Sequence, residues 1–426
     1  HIESGAVARA SYAEQDALSA LKRQREAEAG WQWFAATGAG RYRELVTDTI
    51  RDDYYGRDLA LGLRHPLLGS LRRQQQAIES VELEQQRQQA RAALQHAELR
   101  LALRSAYADW WRAQQEQQWC TALEPAAEYA LAQVQQRLGA GWLLASEARS
   151  IQGRWQALQR RCTQAELVRD ETASALALLS GQPITKQLQA VAEPLAGAIQ
   201  PLAAWRQALT EHPRLRERED ELRYAERNRQ TPWYAGVDSN FNLAQSYELR
   251  SGADKSGDGL VASISVSTPF DLLGYGRDHA DEAQARHQVA QARLQVEREQ
   301  LLQGLGQALR AQREAYNALL ATQERLAVAR QALAEQRLRR NVELVGGVQN
   351  ELSAALDVHV ASLALIGAWH GAWLREAALR LFVEDDSRLG TLFGRARQVW
   401  AQPENQGARP DALAAWRQGV YLWDSR

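Results

Sequence analysis

Methionine is missing from all 426 residues, and there are only two cysteines, Cys120 and Cys162, and five phenylalanines. Two cysteines exclude a disulfide-dense scaffold and a four-cysteine zinc site. Ten prolines, thinly spread, leave long stretches free to run as unbroken helix. Neither sign of charge prevails, because 51 basic residues meet 52 acidic ones for a formal −1. That balance gives the whole chain no pull toward nucleic acid or an anionic surface, and no nucleic-acid partner is expected. No run approaches eighteen uninterrupted apolar residues, so no membrane-spanning helix is expected. The most apolar window, HVASLALIGAWHGAW (359–373), is short and carries two histidines. A mean hydropathy of −0.49 is that of a chain at home in water. The chain starts at His1 with neither an initiator methionine nor a charged-then-apolar leader, and the expectation is a mature or trimmed form.

Catalytic patterns are absent as well. The glycines of LLGYGRDH (272–279) lack the GK[ST] ending of a phosphate loop and the spacing of a dinucleotide fold. His279 and His287 are eight apart and His359 and His370 eleven apart, neither pair with metal-ligand spacing. No Ser-His-Asp grouping is visible. No enzyme activity, metal or cofactor is expected.

What the chain does have is helix. Residues 71–138 are broken only by Pro125, and 277–345 contain no proline at all. Both are filled with Ala, Leu, Gln, Glu and Arg, which are strong helix formers. Leu and Ala recur at three- and four-residue spacing, a narrow seam for neighbouring helices. Each segment would reach on the order of 100 Å at 1.5 Å per residue. Each ends at glycines, Gly139 and Gly141 in the first case, Gly346 and Gly347 in the second. Return arms follow at about 143–179 and 351–383, giving two αα-hairpins with glycine at the turn. On the helices alone, a periplasmic or cytoplasmic coiled-coil scaffold would be the reading.

Strands argue against the scaffold. From Pro232 to Leu249 the odd positions are largely apolar and the even ones polar, and LVASISVST (260–268) alternates in the same way after a polar loop. The first half repeats this more weakly at 31–45 and 54–64. Each hairpin breaks at a proline and glycines before its long helix, at Pro66 and Gly69 and again at Pro269 and Gly274. Proline suits such a place because it cannot donate to a continuing ladder. The expected organisation is a first repeat over 1–183 (β-hairpin 31–64, helical hairpin 71–180, tip near 139–142) and a second over 184–383. The second holds a short helical region at 201–230, a β-hairpin at 232–268 and a helical hairpin at 277–383 with its tip near 346–350, and a tail follows at 384–426. Membrane strands must close into a barrel, and the smallest have about eight strands. Four strands cannot close alone, so a chain of this kind must oligomerise.

The knuckle P-x-D-L-x-G-x-x-R is carried by Pro269, Asp271, Leu272, Gly274 and Arg277. With LLSGQPI (178–184) at mid-chain and the two glycine turns, it resembles the TolC-like outer-membrane efflux protein family, over roughly Tyr12 to Val383. The resemblance implies a mainly α chain with two membrane β-hairpins per protomer. Three copies would form a twelve-stranded barrel in the bacterial outer membrane, continued by a long α-helical barrel in the periplasm. It implies an exit duct without chemistry of its own, serving a periplasmic adaptor and an inner-membrane pump, with the glycine tips as adaptor contacts. In several members two aspartates three apart line the closed entrance. Here Asp357 takes the first position, in a register that needs about one extra helical turn after Gly347, and Val360 the second. Without the insertion Ser353 takes the place, and Glu147 is the counterpart in the first half. Two readings of Asp357 stand: a ring of three at a cation-attracting constriction, or a solvated carboxylate near a helix start, favoured by the helix dipole. Many members are lipidated on an N-terminal cysteine, which this chain does not show. The aromatic tail, with Trp400, Trp416, Tyr421 and Trp423, matches none of these motifs.

The two cysteines lie symmetrically about Gly141, twenty-one residues before and twenty-one after it. In an antiparallel hairpin they would stand at one height on facing arms. A bridge needs Cα atoms within about 7 Å, tight for helices packed 8–10 Å apart. Two buried thiols filling the seam would be the simpler alternative. The expectation is a structural disulfide, worth up to roughly 4 kcal/mol through the loop it closes and persistent in an oxidising periplasm. Free-thiol labelling of denatured, unreduced protein should find no reactive cysteine; two labelled thiols would remove the bridge.

Overall fold

The computed structural model describes residues 6–45, 51–185, 187–193, 195, 199–230, 232, 234–251, 257–340, 347–383 and 392–393. In chain order these form α1 (Ala6–Ala29), β1 (Gln32–Leu45), β2 (Arg51–Leu67), α2 (Leu68–Gly139), α3 (Ala145–Cys162) and α4 (Ala165–Ser180). Then come α5 (Leu202–Leu209), α6 (Pro213–Arg227), β3 (Asp238–Ser251), β4 (Gly257–Ser267), α7 (Leu272–Arg340) and α8 (Gly347–Leu379). The strands make one antiparallel sheet in the order β1-β2-β3-β4.

Helix composition set the two long helices, of 72 and 69 residues, and Pro125 remains inside α2. Three features differ from the pattern expected of the sequence. The first return arm is two helices, divided at Thr163 and Gln164, where the Thr163 hydroxyl donates to the Arg160 carbonyl at 2.8 Å. The region 201–230 also divides, since Pro213 has no N–H to give a preceding turn and instead opens α6. Third, α1 carries no wide apolar stripe and was not foreseen. Polar contacts hold it against α2, including Lys22 to Glu82 at 2.9 Å and Gln85 to Ser19 at 3.5 Å.

Two compact units share these elements, one taking in 93–212 and 299–426, the other 4–92 and 213–298. Each unit draws on both halves of the sequence. The first is built around tryptophan: Trp119 on α2 and Trp155 on α3 are fully buried with Leu319 of α7 and Leu356 and Ile366 of α8. A smaller core joins Trp205 of α5, Leu305, Leu379 and Phe393. Apart from Leu392 and Phe393, the aromatic tail lies outside the described residues.

In the second unit the sheet is accompanied by α1, α6 and the adjoining parts of α2 and α7. Glu221 of α6 joins three helices there, accepting from Arg218 and Arg293 at 2.8 Å each and facing Arg87 at 3.6 Å. Burial works to raise its pKa, yet the arginine hydrogen bonds prevail and hold the carboxyl below the usual range.

The segment Gly347–Phe382 is long and apolar enough to cross a membrane by length and composition, contrary to the expectation from unbroken runs. Small residues between its aromatics raise the mean hydropathy without making a continuous apolar run. Of the qualifying window 44% is buried in the protein, and Leu356, Ile366 and Trp373 point into the tryptophan core.

His359 of α8 lies in that core with its ring edge-on to Trp119 and Trp155, at 6.4 and 5.7 Å. Burial lowers its pKa from 6.5 to about 4, so the folded protein holds it neutral. The unfolded chain takes up that proton first. The contribution of His359 is therefore complete above about pH 6.5 and lost as pH falls toward about 4. Thermal midpoints measured across this window should fall less steeply in His359→Leu than in the parent; equal slopes would show that His359 does not supply the acid sensitivity.

Candidate functional site

The sheet sorts its side chains by register. Trp33 faces Leu63, Leu63 faces Leu243, and Leu243 faces Ala262, all on one side. Leu59, Leu61, Tyr247, Leu249, Leu260, Ile264 and Val266 share that side and are exposed. Trp31 extends the face, its ring 5.0 Å from His65 and 6.1 Å from Phe241. The opposite side holds Asp58, Arg64, Asn240, Asn242, Ser246, Glu248, Ser263 and Ser265. An exposed apolar face with aromatics along it, backed by a polar face, is what lipid on one side and water on the other require. At the outer strands β1 and β4, one row of backbone groups has no sheet partner.

The strand-to-helix junctions lie where the prolines and glycines indicated, though these residues act differently. Pro66 does not end its strand: β2 continues to Leu67, with Pro66 opposite Asn240. This is tolerated because β1 has already stopped opposite Arg64, leaving no ladder on that side. The turn is made instead by Leu68, at φ 40°, and Gly69. A Cβ on Gly69 would lie 2.5–2.8 Å from the carbonyl oxygens of Tyr234, Ala235 and Val237. Ser70 then takes the Ser239 N–H at 3.0 Å, and Arg73 pairs with Asp238. In the second junction Pro269 follows the end of β4, but Gly274 is no bend. Helix α7 has begun at Leu272, and Asp271 caps it by accepting the Gly274 N–H at 2.8 Å.

At the first hairpin end Gly141 adopts φ +73°, and Trp142 and Gly141 donate to the carbonyls of Arg137 and Leu138. That pair of bonds closes α2 with a left-handed cap. Gly139 is helical, and a Cβ there would meet nothing within 4 Å. Around the turn Leu138, Trp142 and Leu144 are exposed, Trp142 at 70%, with Arg137 stacked 5.9 Å from its ring. Glu147 turns back on its own helix and accepts the Leu144 N–H at 3.2 Å. At the second end Gly347 starts α8, while Gly346 lies outside the described residues.

Asp357 is exposed on α8 with Val360 one turn on and the half-buried Ser353 one turn before. Its Oδ1 accepts from Arg154 of α3 at 2.7 Å. The structure thus joins Asp357 to an arginine that its motif does not contain and shows no contact between Asp357 and Glu147. Glu351, also missed, is buried and held by Arg340 at 2.9 Å and Arg337 at 3.5 Å. Cys120 and Cys162 are bonded, with Cα atoms 5.5 Å apart. The approach is closer than the usual spacing of packed helices, and it occurs at Cys162, the last residue of α3. Among the described residues no group of three His, Cys, Asp or Glu could hold a metal.

No family profile and no curated protein sequence matches the chain. Solved structures do. The outer-membrane channel OprN superposes with a TM-score of 0.68 at 16% identity, covering 88% of this chain and 86% of its own. A membrane protein from Pseudomonas aeruginosa gives 0.67 at 18% identity, with 88% and 89% covered. The outer membrane protein VceC from Vibrio cholerae gives 0.66 at 14%, with 90% and 94% covered. The chain has the fold of a TolC-like outer-membrane channel.

The two classes of glycine separate by mutation. Gly69→Ala forces backbone apart at the junction and should cost about 2 kcal/mol, lowering the thermal midpoint by several degrees. Gly139→Ala adds a methyl group to open space and should leave the midpoint unchanged. Equal effects at both sites would contradict the close approach at Gly69.

Proposed function

We propose that this protein is the outer-membrane exit duct of a tripartite efflux or type I secretion system, passing cargo from the periplasm to the outside. The observation that carries this is the sheet, with one exposed apolar face, one polar face and two outer strands lacking partners. Three copies of four strands make twelve, which satisfies every edge and puts the apolar faces toward lipid. On this reading the chain is a homotrimer of the bacterial outer membrane, each protomer two repeats of β-hairpin and helical hairpin, the helices extending into the periplasm. The similarity to OprN, VceC and the outer membrane channel MtrE of Neisseria gonorrhoeae supports a channel rather than an enzyme.

The hairpin ends form the periplasmic entrance. Three Asp357 carboxylates ring it, each held in the free protomer by Arg154. The exposed Trp142 and Leu144 beside Gly139 and Gly141 contact a periplasmic adaptor, which links the duct to an inner-membrane pump. Energy and choice of cargo, whether drug, metal ion or polypeptide, lie with those partners.

Detergent-purified trimers inserted into a planar bilayer test the duct. The parent should show small, infrequently open conductance, and Asp357→Asn, which releases Arg154, should raise it severalfold. A protein that purifies without detergent, or that inserts and conducts in neither form, would instead be a scaffold.

A further inference from the structure

On the polar face of the sheet one cation is set apart. Arg64 of β2 is exposed, and among the described residues no carboxylate pairs with it. It is nevertheless held in place. Its Nε donates to Asn242 Oδ1 of β3 at 3.1 Å. The guanidinium carbon stands 5.4 Å from the centre of the Phe34 ring of β1. Asn242 Nδ2 donates in turn to Ser265 Oγ of β4 at 3.3 Å, and Ser265 donates to the Asn240 carbonyl at 3.4 Å. Phe34 can lie across β2 because residue 62 is glycine, where a Cβ would sit 2.8 Å from the ring. Each of the four strands therefore contributes to fixing one guanidinium.

A guanidinium has five N–H donors in a planar fork, and the contacts to Asn242 use one of them. Stacking and the amide restrict a side chain that would otherwise lose much freedom on binding, so the remaining fork is prepared for a planar or tetrahedral anion. Among the described residues the carboxylates of this face are Asp58 and Glu248, which oppose one another six positions along β2 and β3 from Arg64 and Asn242, and Asp238, four positions from Asn242; Asp238 pairs with Arg73, and the other two are already partnered. The positions directly beside Arg64 are neutral, Asn240, Asn242, Ser263 and Ser265, and the Asp238 carboxylate beyond them is engaged by Arg73. Rings of arginine make pores favour anions.

We propose that Arg64 is a charge-selecting residue of the inner wall of the barrel, taking carboxylate, sulfonate or phosphate groups of passing cargo. It rests on the duct reading, which makes the polar face the lumen. The test uses purified full-length protein in planar bilayers under a potassium chloride gradient, with Asp357→Asn in every arm so that the entrance carboxylate does not mask the wall. Arg64→Gln should shift the chloride-to-potassium permeability ratio roughly threefold toward potassium, the scale of one unit charge several ångströms from an ion in water. Arg64→Lys should retain most of the chloride preference, and Phe34→Leu, which removes the stacking surface and leaves the charge, should lose part of it. An unchanged ratio in Arg64→Gln overturns the assignment while leaving the duct intact. Should Arg64→Gln fail to insert, Asn242→Ala decides in its place: a reduced chloride preference supports the proposal and an unchanged one refutes it. Absence of conductance in every arm, the Asp357→Asn parent included, removes the duct reading and this proposal together.

Discussion

The constraint on which the proposed duct rests is a four-stranded sheet with an exposed apolar face and, among the described residues, outer strands paired on one side only. Every other part of the structure can be understood from that constraint. The alternation that puts Leu61, Leu243 and Ile264 on one side and Asp58, Asn242 and Ser265 on the other is a period-2 pattern, so a slip of one residue would turn the apolar set onto the wet face. Register is therefore decided by the same residues that form the exposed apolar face. Burying a row of backbone donors and acceptors without partners in a hydrocarbon layer costs several kcal/mol per group, which makes closure by further copies the low-energy resolution.

The helices meet the opposite problem, since they satisfy their own backbone but carry only a narrow apolar seam. Their solution is to concentrate aromatic mass. Trp119, Trp155 and Trp373 fill the spaces between α2, α3 and α8, and Trp119 uses its indole N–H to bind the His359 carbonyl at 3.1 Å. At Trp119 and Trp373, whose indole N–H groups donate to the His359 carbonyl and to Glu193, the ring fixes helix rotation more firmly than leucine would, because it has both a flat face and a directional donor. The disulfide acts at the same level. It joins α2 to the last residue of α3, bringing the two Cα atoms within 5.5 Å.

Much of this was legible in the residues, for identifiable reasons. Long helices were readable from composition because Ala, Leu, Gln, Glu and Arg persist without breakers, and the second pair of strands from alternation across 232–249 and 260–268, which the structure forms at Asp238–Ser251 and Gly257–Ser267. The cysteine pair was readable from symmetry about Gly141. The helix α1 was not, because its stabilisation comes from partners such as Glu82 that are distant in sequence. The break at Thr163 was not readable either, since no proline or glycine marks it. The roles given to Pro66 and Gly274 were wrong in kind, although their places were right. Proline ends a strand only where a ladder partner is present, and β1 had already finished.

By itself the sequence determined the two long helices, the four strands, their order, the places of the glycine and proline junctions and the two-sided character of the sheet, because each depends on contacts within a few residues or on a fixed period. Only the tertiary structure decided which charges meet. Asp357 finds Arg154, Glu351 finds Arg337 and Arg340, Glu221 gathers arginines from three helices, and Arg64 is left with Phe34 and Asn242. Arginine and glutamate occur on every helical face of this chain. Which of them pair follows from how helices rotate and strands register against one another, and that is set by the packing of side chains far apart in the sequence.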